Sequence, residues 1–97
     1  MNQIPRRDRY AEEEDRIREI VGQHPVPSFV TGFQVRLGDI DGDPAVWIVF
    51  KTIRDAEPEG EELERQVAQR SALRNAVHSE LLDALDNRYP YIRFEPV

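Results

Sequence analysis

The stretch GDIDGDPAVWIVFKT, Gly38 to Thr52, decides the fold. It sets Asp39, Asp41 and Asp43 at alternate positions directly ahead of the apolar block Ala45–Phe50. Asp-x-Asp-x-Asp opens a calcium loop, but the EF-hand pattern then requires glycine at its sixth position and a bidentate glutamate at its twelfth. Counted from Asp39, those positions hold Pro44 and Phe50. The proline ring fixes a negative φ where the glycine must supply a positive one, and phenylalanine offers no ligand atom. Asp41-Gly42 is instead a leading hairpin-turn dipeptide, and Pro44 closes the loop before the next strand. The aspartates therefore read as a solvated turn between two strands.

On the far side of the turn, Ala45 to Ile53 does not alternate. Val46, Ile48 and Phe50 point one way while Trp47 and Val49 point the other, as in a strand covered on both faces. On the near side, Phe29 to Leu37 does alternate: Phe29, Phe33, Val35 and Leu37 share one side, and Val30, Gly32, Gln34 and Arg36 the other. A third strand is expected over Tyr91–Glu95, with Ile92 and Phe94 against Tyr91, Arg93 and Glu95.

Two helices flank these strands. The first is expected from about Arg9 to Val21, with Asp8 as N-cap, residues 1–8 as a flexible lead-in and Gly22 as the stop. The second lies within Glu61–Asp86. Leu73, Ala76, Val77, Leu81, Ala84 and Leu85 repeat there at helical spacing, whereas Leu63 and Val67 lead on to Arg70 and Arg74. At 1.5 Å per residue such a helix spans roughly 39 Å, more than the roughly 30 Å of a nine-residue strand, so part of it must overhang, bend or meet another subunit.

The order α-β-β-α-β predicts an α+β domain. The hairpin is antiparallel, and a right-handed crossover returns the last strand parallel to the second. The result is a three-stranded mixed sheet in the order 1-2-3, with both helices on one face. The other face is then open and carries Trp47, Val49 and Tyr91, ringed by Arg36, Lys51 and Arg93, with Gln34 beside them.

Composition narrows the chemistry. At 97 residues the chain falls in the range of one domain, and a fold this small buries only about 65% of its unfolded surface. It contains no cysteine, which removes disulfides, thiolate metal sites and a cysteine nucleophile. No apolar run approaches the roughly 20 residues of a membrane span, and MNQIPRRDRYAEEED has no apolar secretory core, so a cytoplasmic protein without membrane contact is expected. The net charge of −6 opposes binding to phosphate backbones unless the basic groups gather on one face. His24 lies in a proline-bounded loop and His78 on a helix without a second ligand at i±4, so neither marks a metal site. Ser28, Ser71 and Ser79 lie in no Gly-x-Ser-x-Gly elbow. The carboxylates of RDAEPEGEELERQ read as a solvated helix face. No cofactor, metal or catalytic residue is expected.

The element order and the ending NAVHSELLDALDNRYPYIRFEPV resemble the cytoplasmic C-terminal domain of cation diffusion facilitator transporters. That family binds divalent metal through histidines on the second and last strands, whereas WIVFKT and YIRFEPV contain none, so the resemblance implies architecture without the metal role. The segments GDPAVWIVF and RYPYIRFEP also resemble a group of small bacterial proteins, some of which partner a second small protein in an antitoxin-like arrangement. That resemblance implies a partner-binding role and transfers no functional residue.

The expected function is a non-catalytic protein-interaction domain, acting as a homodimer or as the small partner of a second protein. Trp47, Val49 and Tyr91 are its anchors and Arg36, Lys51 and Arg93 its rim, since Trp, Tyr and Arg are the residues enriched at such contacts. The alternatives are single-stranded nucleic acid stacked on the same aromatic face, or a small metal-binding or enzymatic domain. A bland reading also stands: the first helix or the N-terminal segment could simply cover this face.

Overall fold

The computed structural model describes residues 5–53, 58–85 and 87–97, with side chains from Ala11 onward. The elements follow as α1 (Pro5–Gly22), β1 (Val30–Ile40), β2 (Asp43–Thr52), α2 (Gly60–Ala84) and β3 (Tyr89–Pro96). The sheet order is β1-β2-β3, with β1 antiparallel and β3 parallel to β2.

The connection between β1 and β2 is tighter than expected. Ile40 pairs with Asp43, leaving only Asp41 and Gly42 in the turn, with φ of 52° and 89°. Positive φ at both central residues is the mark of a type I′ turn, whose twist matches that of the flanking strands. Pro44 falls opposite Asp39. One step from the closing pair is a non-hydrogen-bonded position, where a missing N–H costs nothing. The strands therefore run into the stretch that had been expected to form the loop.

β2 is the central strand and the most deeply buried. Val46, Ile48 and Phe50 are fully enclosed and form one core with Val35 of β1. Ile17 and Val21 of α1 and Leu73, Val77 and Leu81 of α2 close that core from above, so both helices occupy the same face. Each such side chain contributes roughly 1.5–3 kcal/mol on leaving water, which makes this cluster the main source of stability. No helix among the described residues is long and apolar enough to cross a membrane.

The ends of the elements differ from expectation for physical reasons. α1 begins at Pro5, a residue suited to the first helical turn because its absent N–H would be unpaired there anyway. Asp8 therefore lies inside the helix instead of capping it, and of the expected flexible lead-in only residues 1–4 lie outside the described residues. α2 ends at Ala84; its expected end at Asp86 lies outside the described residues. β3 extends past both ends of its expected span because an edge strand tolerates Pro90 and Pro96.

In α2 the buried stripe stops at Leu73. Around that point the Arg74 and Arg70 guanidinium groups lie over aromatic rings, Arg74 at 5.4 Å from Phe94 and Arg70 at 5.4 Å from Phe29. Beyond them Leu63 and Val67 are 44% and 49% exposed. The expected overhang is therefore present: the first turns of α2 run past the sheet.

Arg88, in the approach to β3, holds one end of the fold together. Its Nε donates to Glu13 of α1 at 2.8 Å, and its Nη1 donates to the carbonyls of Gly38 at 2.8 Å and Ala45 at 3.0 Å. One nearly buried side chain thus joins α1, β1 and β2. Arg88→Met would leave the Glu13 carboxylate and two carbonyls short of donors and should cost about 2–3 kcal/mol. Urea unfolding would show it as a lower midpoint at unchanged slope. A loss below about 0.5 kcal/mol would mean that the contacts are replaced by water at no cost.

Candidate functional site: the open face of the sheet

The register assembles the open face row by row. Arg36, Trp47 and Tyr91 lie side by side across the three strands, and so do Gln34, Val49 and Arg93. Lys51 is aligned with Glu95, and Ala45 with Tyr89. All six residues expected at the site, Trp47, Val49, Tyr91, Arg36, Lys51 and Arg93, are therefore on one face. Both helices bury their apolar side chains in the core on the opposite face, and of the described side chains of α1 only Arg18 reaches round to the hollow lined by Trp47, Val49 and Arg93.

The aromatic rings form a connected row. Trp47 stacks on Tyr91 with centroids 6.0 Å apart and planes 21° from parallel. Tyr91 meets Tyr89 edge-on at 5.1 Å, and Tyr89 meets His78 of α2 at 5.3 Å. On its other side the indole lies over Gly38. A Cβ built at Gly38 would come within 2.8 Å of Trp47 Cζ3, so the absence of a side chain there lets the indole lie flat. The row is not sealed: Tyr91 is 38% and Tyr89 50% exposed.

The charges on the face are not independent. Lys51 Nζ donates to Glu95 Oε1 at 3.1 Å, and Arg93 Nη2 to Glu95 Oε2 at 2.7 Å. The hydrogen bond and charge of Lys51, followed by the charge of Arg93, hold the Glu95 carboxyl below its ordinary range. Two of the three expected rim cations thus share one carboxylate, leaving Arg36 outside this cluster.

Sequence reasoning had not placed Tyr89, Gly38 or Glu95 in the site. Tyr89 has the period-two spacing that marks Tyr91, but it lies outside the expected span Tyr91–Glu95, with Pro90 between the two. Gly38 carried a usable signal, because a glycine inside a strand marks a close approach. The contact of Glu95 with Arg93 is local, two residues apart on one strand, whereas its contact with Lys51 depends on the pairing of β2 with β3.

The other candidates take ordinary structural places. His24 Nε2 lies 2.5 Å from Glu80 Oε1 and ties the α1–β1 loop to α2. His78 packs against Tyr89. Asp39, Asp41 and Asp43 are exposed around the turn, and no group of three or more potential metal ligands occurs among the described residues. Compared with known proteins, the chain has no significant match to a family model, to a curated protein or to a solved structure.

Two outcomes follow for this face. Gly38→Ala should push the indole off the sheet, and because the chain has a single tryptophan, the emission maximum should move to longer wavelength while far-ultraviolet circular dichroism stays native. An unmoved maximum would show that Trp47 does not rest on Gly38. The lowered carboxyl of Glu95 adds stability that is present above the ordinary glutamate pKa and is lost as pH falls through its own lower value. Glu95→Gln should therefore lower stability at neutral pH and flatten the acid limb of the stability curve; an identical acid limb would remove Glu95 from that role.

Proposed function

We propose that this chain is a non-catalytic protein-interaction domain of the cytoplasm whose open sheet face docks a partner protein, as the small member of the pair. The observation that carries this reading is the row Trp47–Tyr91–Tyr89, its two tyrosines exposed and its indole partly covered, braced from behind by a close-packed core. Rigid aromatic side chains held on a sheet lose little freedom on binding, and such anchors supply most of the energy of a protein contact.

The electrostatics favour a protein over single-stranded nucleic acid. A phosphate-binding face needs free cations, whereas Glu95 occupies Lys51 and Arg93 at one end of this one. A carboxylate on the same face, two rows along from Trp47 and Tyr91, would repel a phosphate backbone laid across it, and the chain as a whole carries −6. Glu95 suits a protein partner instead, since the mixed charges of a polar rim provide orientation and specificity.

The test pairs wild type with Trp47→Ser and Tyr91→Ala as affinity baits in the organism's own extract, followed by titration of the purified partner. Each substitution should weaken binding at least about thirtyfold, the equivalent of a hot spot of about 2 kcal/mol. A labelled single-stranded oligonucleotide should fail to bind at physiological salt. If Trp47→Ser leaves both partner affinity and association state unchanged, the face is not the docking surface. Tight oligonucleotide binding that falls steeply with salt would assign it to nucleic acid.

A further inference from the structure

The sheet has two outer edges, and they are unequal. β3 carries Pro90 and Pro96, which supply no N–H for a further strand. β1 is eleven residues long, contains no proline and, among the described residues, pairs only with β2. The turn fixes which of its backbone groups are free. Ile40 and Asp43 close a two-residue turn, so Ile40, Gly38, Arg36 and Gln34 direct N–H and C=O toward β2. The reach of one Arg88 nitrogen to both Gly38 and Ala45 carbonyls agrees, since those oxygens converge only in a hydrogen-bonded pair. Phe33, Val35 and Leu37 therefore direct theirs outward.

We infer that this edge is the contact between two copies of the chain, which pair β1 with β1 in antiparallel fashion about a two-fold axis at Val35 and form one continuous six-stranded sheet. The proposal concerns a different surface from the aromatic face and does not depend on the function proposed for it. Its basis is the self-complementarity of VTGFQVRLGDI. Turned about Val35, the regular part of the strand, which ends at the register shift between Val30 and Gly32, sets Phe33 opposite Leu37, Gln34 opposite Arg36 and Gly32 opposite Gly38. Apolar residues meet apolar ones, the glycines meet each other, and the one basic residue meets an amide. The outward groups also fall into step: Val35 with itself and Phe33 with Leu37 are hydrogen-bonded pairs, which give about six main-chain bonds between copies.

The helix above the edge supports the same axis independently. A depression along β1 joins Ala11 and Glu14 to Val35 and Leu37, and Arg18, one turn on, reaches Phe33 and Val35 at the rim of a second hollow that opens onto the sheet face at Trp47, Val49 and Arg93. α1 thus runs antiparallel to β1, with Glu14 and Arg18 on either side of Val35. The two-fold axis brings α1 alongside its copy in the opposite direction and sets Glu14 of one against Arg18 of the other, twice. Within one chain the same two residues lie 3.6 Å apart, so the helices can exchange partners into a four-member network.

The cysteine-free chain permits a direct test. Gln34 and Arg36 of opposite copies would form a non-hydrogen-bonded pair with Cα atoms about 4.5 Å apart, within disulfide range, whereas two copies of residue 34 would stand about 8 Å apart, beyond it. Gln34→Cys mixed with Arg36→Cys should yield a crosslinked dimer at least about tenfold faster than either variant alone. In light scattering and sedimentation, wild type should be a dimer, Glu14→Arg should raise its dissociation constant about tenfold, and the swap Glu14→Arg/Arg18→Glu should restore it. A wild-type monomer at every concentration, equal crosslinking by single and mixed variants, or a charge swap that fails to recover the dimer of a folded protein would each overturn the proposal. Trp47→Ser should leave this dimer intact, which separates its failure from that of the aromatic face.

Discussion

The two-residue turn at Asp41-Gly42 is the constraint on which the rest of the structure depends. With period-two side chains, a slip of one residue in the pairing of β1 and β2 would exchange the two faces of a strand. Val46, Ile48 and Phe50 would then meet water, and Trp47 and Val49 would be pressed against the helices. The I′ geometry prevents this by fixing Ile40 opposite Asp43. Every later position follows: Trp47 beside Arg36 and over Gly38, Val35 beside Ile48, and, through parallel pairing, Tyr91 beside Trp47.

The same register gives the domain two distinct sides. One is closed by helices whose buried residues are all apolar. The other exposes an aromatic row and, two rows along, a carboxylate that draws in Lys51 and Arg93. The Arg88 contacts clamp the hairpin near its turn, at the end of the sheet where α1 and the start of β3 meet. The aromatic row is therefore mounted beside this clamp, and rigidity is what an anchor residue requires.

Much of this was legible in the sequence, and the boundary of what was not has a physical origin. Element order, strand order and the common side of the helices follow from periodicity and the handedness of the crossover, both properties of short windows. The membership of the open face follows as well, because alternation along each strand assigns side chains before their neighbours are known. The strand ends escaped because Pro44 and Pro90 act locally as breakers, whereas pairing places them where an N–H is not needed. Arg88 and Glu95 escaped for a deeper reason: the partners of Arg88 at Glu13, Gly38 and Ala45, and that of Glu95 at Lys51 across the β2–β3 pair, become neighbours only after the chain has folded.

Residue-resolved amide exchange along β1 tests the register most directly. With the turn at Asp41-Gly42, the amides of Gln34, Arg36 and Gly38 must be protected at every protein concentration, because they face β2. Those of Phe33, Val35 and Leu37 should gain protection as concentration rises and the outer edge is paired. Rapid exchange at Gln34, Arg36 and Gly38 with constant protection at Phe33, Val35 and Leu37 would mean that the hairpin is shifted by one residue, and would contradict the division of β2 into a core face and an aromatic face.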